Sequence, residues 1–193
     1  MTEHQTAHDD DAPPTTWKKG DGLDVAAIPD GKGDQIVARA VTINRPVGEV
    51  FAYFRDFANL SSFMENVVRI DVIDDVKSHW VVKAPAGKTV EWDAVITDEA
   101  KDRLIAWQSE PGADVANSGR VEFRDAGARG TVVTATIAYD PPAGIVGKLI
   151  AKMFQREPAI QARRDLRRFK QLMETGEIAT AAMNRKQHEE EVV

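Results

Sequence analysis

The sequence contains no cysteine, and only one of its four histidines, His79, lies outside the polar chain ends. The absence of cysteine excludes disulfides, thiolate zinc sites and cysteine nucleophiles, and it suits a reducing compartment. A single histidine offers no multi-histidine metal site, and His79 is expected to be solvated at a hairpin. No P-loop, dinucleotide-binding or EF-hand spacing occurs. These residues therefore indicate no cysteine- or histidine-based catalytic group, no metal and no cofactor.

Long apolar runs are also missing. A membrane-spanning helix needs about 20 apolar residues, whereas the best candidate, residues 143–154, is shorter and contains Lys148 and Lys152. The N-terminal residues MTEHQTAHDDD are acidic and lack the apolar region of a secretory signal. These absences predict a soluble, cytoplasmic protein.

The two ends of the chain lack the apolar periodicity of its middle. Residues 1–34 are rich in Asp, Gly, Pro and Thr and carry eight acidic against three basic residues, so we expect a disordered acidic leader. Residues 179–193 have no apolar stripe and are expected to fray. Residues 35–178 then form one domain, which is long enough to bury a core.

Seven segments of this domain have the composition and alternation of β-strands. The first is followed by Asn44-Arg45-Pro46, which predicts a helix with Pro46 at its first position, and residues 56–64 predict a second short helix. The later strands are joined by turns so short that they must be antiparallel hairpins. The predicted strands are Gln35 to Ile43, Val67 to Asp74, Ser78 to Lys83, Thr89 to Asp98, Arg103 to Ser109, Val115 to Arg124 and Thr131 to Tyr139.

The stretch from Asp140 to Gly176 is the only one suited to a long helix, and Gly176 is placed to cap its end. Its apolar residues form two sets, 145–160 and 162–173, on nearly opposite sides of an ideal helix. Pro158 lies between them, so we predict a break or kink near Pro158. This helix would cover the concave face of a curved antiparallel sheet and leave a gap wherever side chains do not fill it.

Several short motifs carry a resemblance to a known family. The sequence resembles the polyketide cyclase/dehydrase-like group of the SRPBCC (START / birch-pollen-allergen) superfamily, which also contains coenzyme Q-binding START-type proteins. The motifs are Ile43-Asn44-Arg45-Pro46-Val47, Val82-Lys83-Ala84-Pro85-Ala86-Gly87, Glu91-Trp92-Asp93, Ala106-Trp107, Gly130-Thr131, Tyr139-Asp140-Pro141-Pro142-Ala143-Gly144 and Asp165-Leu166-Arg167-Arg168-Phe169-Lys170.

The resemblance implies an α+β helix-grip fold. In this fold a curved seven-stranded antiparallel sheet wraps around a C-terminal helix and encloses a deep hydrophobic cavity, with two short helices after the first strand. Members bind lipids, quinones, polyketides or plant hormones, and a minority catalyse cyclisation or dehydration. The resemblance assigns no catalytic residue to this chain.

The candidate ligand-binding residues are large apolar side chains from the strands and helices that would enclose this cavity. Aromatic residues also dominate ordinary cores, so plain core packing is the alternative for each of them. The candidates are Phe54, Phe57, Phe63, Met64, Trp80, Trp92, Trp107, Val121, Phe123, Tyr139, Leu149 and Met153.

Glu91 and Asp93 flank Trp92 in one strand, so the two carboxylates share a face and Trp92 takes the other. Inside a cavity they would suit acid and base catalysis of an aldol cyclisation or a dehydration. The alternative, which the alternation of the strand favours, is that both face solvent. Their orientation therefore separates a catalytic function from a binding function.

Three functions stay open. The leading hypothesis is a protein that binds a small hydrophobic molecule, a lipid, quinone or polyketide. The first alternative is a cyclase or dehydratase that uses Glu91, Asp93 or Tyr139. The second is an interaction module that uses the basic surface of the long helix and has a filled core with no cavity. That surface also suits transient contact with a membrane, but it lacks the interleaved aromatic residues that RNA binding requires.

Overall fold

The structure is a computed structural model, and it describes residues 17–18, 35–84, 87–140 and 158–179. The sheet contains eight strands in the spatial order β1-β2-β8-β7-β6-β5-β4-β3, with all neighbours antiparallel. The elements in chain order are β1 (Trp17–Lys18), β2 (Gln35–Ile43), α1 (Val47–Arg55), a 3-10 helix (Phe57–Ser62), β3 (Val67–Val72), β4 (Lys77–Lys83), β5 (Thr89–Ala100), β6 (Leu104–Ser109), β7 (Ala116–Asp125), a 3-10 turn (Gly127–Arg129), β8 (Thr131–Asp140) and α2 (Pro158–Thr175).

The seven predicted strands are confirmed as β2 to β8, and they form the curled antiparallel sheet of a helix-grip fold. The two-residue strand β1 is an addition that the sequence did not predict. Trp17 pairs with Ile36 and Lys18 with Gln35, at the β2 edge of the sheet. The other residues of the predicted leader, and the tail beyond Ala179, lie outside the described residues.

The two short helices follow β2 as predicted. Helix α1 begins at Val47, and Pro46 is its N-cap rather than its first residue. The predicted second helix is a 3-10 helix, and the Asp56 side chain caps its start by accepting a hydrogen bond from the Ala58 amide at 3.3 Å. Both helices turn apolar side chains inward, since Val50, Phe54 and Leu60 are among their buried residues.

Helix α2 begins at Pro158 and buries Leu166, Phe169 and Met173, which recur at the spacing of one helical face. Gly176 ends it as predicted, because its φ of 79° suits glycine and its amide donates to the Leu172 carbonyl at 2.8 Å. The predicted kink stays a prediction, since residues 141–157 lie outside the part of the chain that the structure describes.

The C-terminal end of α2 is fixed to the end of β2 by polar contacts. The Glu174 side chain accepts hydrogen bonds from the Asn44 amide at 2.7 Å and from Lys170 Nζ at 2.8 Å. The Arg45 guanidinium donates to the Glu174 carbonyl at 2.8 Å. These contacts hold the helix across the sheet at one end.

The core contains two separate groups of buried residues. In the larger group, the rings of Phe54, Phe63 and Phe169 pack against one another and form what we call the phenylalanine cluster. The smaller group consists of Val82, Val90 and Val115. Residues of both groups border one cavity, so this space lies between them.

Candidate ligand-binding cavity

A cavity of about 280 Å³ lies between the sheet and α2. This volume is close to the lower end of the range of small-ligand sites, roughly 300 to 1,000 Å³. The lining comes from α1, the 3-10 helix and the loop after it, strands β3 to β8 and α2, and most of it is apolar or aromatic. A cavity of this kind was the condition for the binding hypothesis, whereas the interaction-module hypothesis required a filled core.

Three tryptophans from neighbouring strands form one side of the cavity, and we call them the tryptophan wall: Trp80, Trp92 and Trp107. Trp80 and Trp92 face each other in the β4–β5 register and stack with centroids 6.2 Å apart and planes 8° apart. The indole N–H of Trp80 donates to Ser78 Oγ at 2.9 Å, and that of Trp107 donates to Asn117 Oδ1 at 3.3 Å. Because these two N–H groups already donate hydrogen bonds to protein atoms, the wall contributes mainly apolar ring surface.

Trp107 depends on a glycine in the next strand. Gly119 pairs with Trp107 across β6 and β7. A Cβ atom at position 119 would lie 2.6 Å from Trp107 Cζ2 and 2.7 Å from the Thr136 carbonyl oxygen, and such distances are too short for real Cβ contacts. Only glycine therefore allows the indole of Trp107 to occupy its present position.

The structure brings most of the candidate ligand-binding residues to the cavity. Two of the twelve, Leu149 and Met153, lie outside the described residues. The candidates that line the cavity are Phe54, Phe57, Phe63, Met64, Trp80, Trp92, Trp107, Val121 and Tyr139.

Phe123 was predicted to line the cavity, and it does not. It lies on the same face of β7 as Val121, but its ring packs edge-on against Phe51 at 5.3 Å and Phe54 at 5.7 Å. Strand alternation identifies the inner face of a strand, but it does not say which part of that face a helix covers. Phe123 belongs to the part that α1 covers.

Glu91 and Asp93 lie on the outer face of the sheet and do not line the cavity. Asp93 contacts His79 Nδ1 at 2.8 Å, and Glu91 lies 3.5 Å from His79 Nε2. The hydrogen bond from His79 lowers the pKa of Asp93, and nearby Lys77 lowers it further. His79, expected to be a solvated hairpin residue, instead lies within β4 and is partly buried. The alternation of β5 predicted the outward orientation correctly.

Tyr139, the other residue named for the enzyme alternative, does line the cavity and is 2% exposed. Burial raises the pKa of its phenol to about 12. The group is therefore a neutral hydroxyl at physiological pH, and it cannot serve as a base there.

Sequence reasoning missed the polar part of the lining, above all Asp165. Asp165 Oδ1 accepts hydrogen bonds from Gln161 Nε2 at 2.8 Å and from the Glu65 amide at 3.2 Å. Burial raises the pKa of Asp165 to about 6, although these hydrogen bonds and the positive charge of Arg168 oppose the shift. The signal was present in the sequence, because position 165 is three residues after Ala162 and four before Phe169, on the inner stripe of α2.

Neither a metal-binding cluster nor a membrane-spanning helix is found among the described residues. Within residues 35–84, 87–140 and 158–179, no group of three His, Asp or Glu side chains is placed to hold a metal ion. The same part of the chain contains no helix that is long and apolar enough to cross a membrane.

Comparison with known proteins identifies the family. Residues 34–174 match the sequence profile of the family described as polyketide cyclase / dehydrase and lipid transport. The chain belongs to this family. The polyketide cyclase / dehydrase and lipid transport family supports a role in ligand binding or cyclisation, and it does not determine which ligand or activity applies. None of the curated proteins compared with this chain matches it.

Several solved structures share the fold. A Deinococcus radiodurans protein is 40% identical, with 74% of this chain and 99% of that chain covered and a TM-score of 0.61. An aromatase/cyclase from Streptomyces sp. R1128 is 14% identical, with 75% and 99% covered and a TM-score of 0.59. A START superfamily protein from Mycobacterium smegmatis is 13% identical, with 68% and 97% covered and a TM-score of 0.50. The last two, at this identity, show likeness of fold alone.

Proposed function

We propose that this protein binds a small, mainly hydrophobic molecule, such as a lipid, quinone or aromatic polyketide, in the cavity between its sheet and α2. The observation that carries the proposal is an apolar cavity of about 280 Å³ bordered by three tryptophans within a fold whose family includes ligand carriers. Concave, mostly apolar pockets with a few polar groups are typical of small-ligand sites. The binding domain would span residues 35–178, close to the matched range 34–174.

Tryptophan fluorescence tests this proposal directly, because the wall residues would contact the ligand. Titration with 1,4-naphthoquinone should quench the emission of the protein saturably, with one site per chain. Material extracted from the purified protein should contain an apolar compound identifiable by mass spectrometry. Quenching that stays linear in quinone concentration, with no extracted compound, would contradict the proposal.

A pair of alanine variants locates the binding site. Ala162 borders the cavity on α2, so Ala162→Phe places a ring in the space and should abolish saturable quenching. Ala52 is exposed on α1 and away from the cavity, so Ala52→Phe is the matched control and should leave quenching unchanged. Equal quenching in both variants would mean that the quinone binds elsewhere.

A cyclase or dehydratase is the second candidate function, and one observation favours it. A carboxyl group, Asp165, and a phenol, Tyr139, border the same cavity, where the carboxylate could serve as a general base and the phenol as a general acid. In this second proposal, Asp165 and Tyr139 would be the catalytic residues, and Glu91 and Asp93 would have no catalytic role. Incubation with a poly-β-ketone precursor should then give a cyclised product by mass spectrometry, with loss of product in Tyr139→Phe. Tight binding without any product would leave only the binding function.

We also propose that the protein contacts anionic membrane surfaces transiently when it exchanges a lipid-like ligand. Arg163, Arg164 and Arg167 are exposed on α2, and basic side chains are attracted to anionic headgroups. Co-sedimentation with phosphatidylserine vesicles at low salt should exceed that with phosphatidylcholine vesicles. Equal sedimentation with both lipids would remove this part of the proposal.

A further inference from the structure

One carboxyl group lies in the otherwise mainly apolar wall of the cavity. Among the described residues, the hydrogen bonds to Asp165 reach one of its oxygens, since both Gln161 Nε2 and the Glu65 amide donate to Oδ1. No described residue donates a hydrogen bond to Oδ2. A carboxylate has room for about four hydrogen bonds, so half of the group is free to contact something in the cavity.

The charged side chains near Asp165 do not compensate the negative charge of its carboxylate. Arg168, one turn later on α2, is the basic residue that acts on it, and the acidic Glu65 opposes Arg168 from the loop before β3. No described Lys, Arg or His forms an ion pair with Asp165. Tyr139, elsewhere in the lining, stays neutral. A partly buried carboxyl without an ion-pair partner destabilises the fold, and such groups concentrate at functional sites.

We propose that Asp165 is a specificity-determining residue of the cavity, whose carboxylate selects mainly apolar ligands that carry a neutral hydrogen-bond donor, a hydroxyl or phenol, over hydrocarbons and carboxylates of the same shape. This inference rests on the proposed binding function and narrows its ligand class. Oδ2 would accept the ligand hydroxyl, and the apolar remainder would lie against the tryptophan wall.

The consequence for ligand class follows from hydrogen-bond complementarity. A phenol or alcohol donates to a carboxylate, and hydrogen bonds to charged groups are stronger than those between neutral groups. A fatty-acid anion would bring a second negative charge beside Asp165 in a partly desolvated space, which is unfavourable. A quinone has only acceptor oxygens, so its reduced, hydroxylated form is the better match. Phenolic polyketides and quinols therefore fit the site better than free fatty acids.

Three compounds that share a two-ring skeleton test this selection at about pH 8, where Asp165 is ionised and 2-naphthol is neutral. They are 2-naphthol, 2-methylnaphthalene and 2-naphthoate, and calorimetric titration of the full-length protein gives their dissociation constants. We expect 2-naphthol to bind about tenfold or more tightly than 2-methylnaphthalene, as one hydrogen bond to a charged group implies. We expect 2-naphthoate to bind most weakly.

Two variants of Asp165 assign the effect to its carboxylate. Asp165→Leu should reduce the preference for 2-naphthol over 2-methylnaphthalene to within about twofold, because no acceptor remains. Asp165→Asn keeps an Oδ1 acceptor for Gln161 and the Glu65 amide but removes the charge, so 2-naphthoate should bind about tenfold more tightly than to the unmodified protein. Asp93→Asn, a carboxylate on the outer face, is the control and should change none of the three constants.

The outcomes separate this inference from the function on which it rests. If none of the three compounds binds saturably, the proposed binding function fails and the selection by Asp165 fails with it. If they bind but 2-naphthol has no advantage over 2-methylnaphthalene, or keeps its advantage in Asp165→Leu, the binding function stands and the role of Asp165 is overturned. Should Asp165→Leu not fold, unchanged binding of 2-naphthoate to Asp165→Asn overturns that role by itself.

Discussion

The phenylalanine cluster and the tryptophan wall lie under the same sheet, but the centre of the cluster is filled and the wall borders empty space. Phe54 and Phe63 reach the edge of the cavity, whereas Phe169 does not line it. Rings of the cluster are 4.6 to 6.1 Å apart and at most 4% exposed. The wall residues are only partly buried and face the cavity. In the cluster, aromatic surface is covered by other side chains and stabilises the fold. At the wall, part of it faces the cavity, where a bound ligand would cover it, so under the proposed function the two regions divide stability from binding.

The largest expected effect is in the filled region. Phe169→Ala should lower the free energy of unfolding by about 3–5 kcal/mol, because Phe169 is fully buried and stacks on Phe63. Urea denaturation measures this change. A loss below about 1 kcal/mol, within the range of ordinary surface changes, would mean that the cluster is not tightly packed.

The next effect concerns Asp165 in the cavity lining, where a substitution is expected to raise the free energy of unfolding. Asp165 has a pKa of about 6 in the folded protein against an ordinary value of 3.8. Below about pH 4 the Asp165 carboxyl is largely protonated in both the folded and the unfolded protein. As the pH rises from there to and through about 6, the unfolded protein loses this proton first, so ionisation favours the unfolded state. At about pH 8 the folded state is therefore penalised by an amount on the order of 2–3 kcal/mol. Asp165→Asn should remove that penalty.

Denaturation at two pH values checks this prediction. Asp165→Asn should stabilise the protein at about pH 8 and change it little below about pH 4. Asp93→Asn is the control of opposite sign: the pKa of Asp93 is lowered, so its carboxylate stabilises the folded state at neutral pH and loses that effect as the pH falls. If Asp165→Asn destabilises at both pH values, its hydrogen bonds outweigh the burial of its charge.

A substitution in the wall should affect binding more than folding. Trp92→Phe should cost about 1 kcal/mol or less of stability, because part of the indole faces the cavity and has no packing partner there. Quinone affinity should fall at the same time, since ring surface is removed from the site. Phe169→Leu, in the phenylalanine cluster and outside the cavity lining, is the matched comparison and should lose more stability without losing affinity through direct contact. A larger stability loss for Trp92→Phe would contradict the division between the two regions.

The smallest expected effect is outside both regions. Arg167 is exposed on α2, so Arg167→Ala should change the free energy of unfolding by at most about 0.5 kcal/mol. Thermal denaturation measures it alongside the other variants. A larger loss would indicate that the arginine stem covers apolar surface of the helix.

Most of the fold followed from local sequence signals. The alternation of Arg120, Glu122 and Arg124 with buried residues identified the inner face of β7, and Gly176 ended α2 where a cap was expected. Signals of this kind are local because hydrophobic period and turn chemistry are properties of a few consecutive residues. The pairing of Trp17 and Lys18 with β2 has no such signal and was not predicted.

The site was predicted less completely, because a cavity depends on distant parts of the chain. Phe123 has the same pattern as Val121, but α1 covers the first and leaves the second at the cavity. Asp165 is surrounded in sequence by four arginines, so it looked like part of a solvated basic surface. Its position in the helical repeat places it on the inner stripe of α2. In the structure this position determines that Asp165 faces inward, although its sequence neighbours are basic.

Gly119 lies behind Trp107 and does not line the cavity, yet it has a consequence for the size of ligand that fits. Any larger residue at 119 would meet both the Trp107 indole and the Thr136 carbonyl oxygen, so the indole and the neighbouring strand would have to shift, and the shape of the cavity would change. The depth of the cavity therefore depends partly on Gly119 in a neighbouring strand, because glycine has no Cβ atom. A search for variants with altered ligand size can therefore include position 119 as well as the lining residues, with Gly119→Ala as the smallest change available.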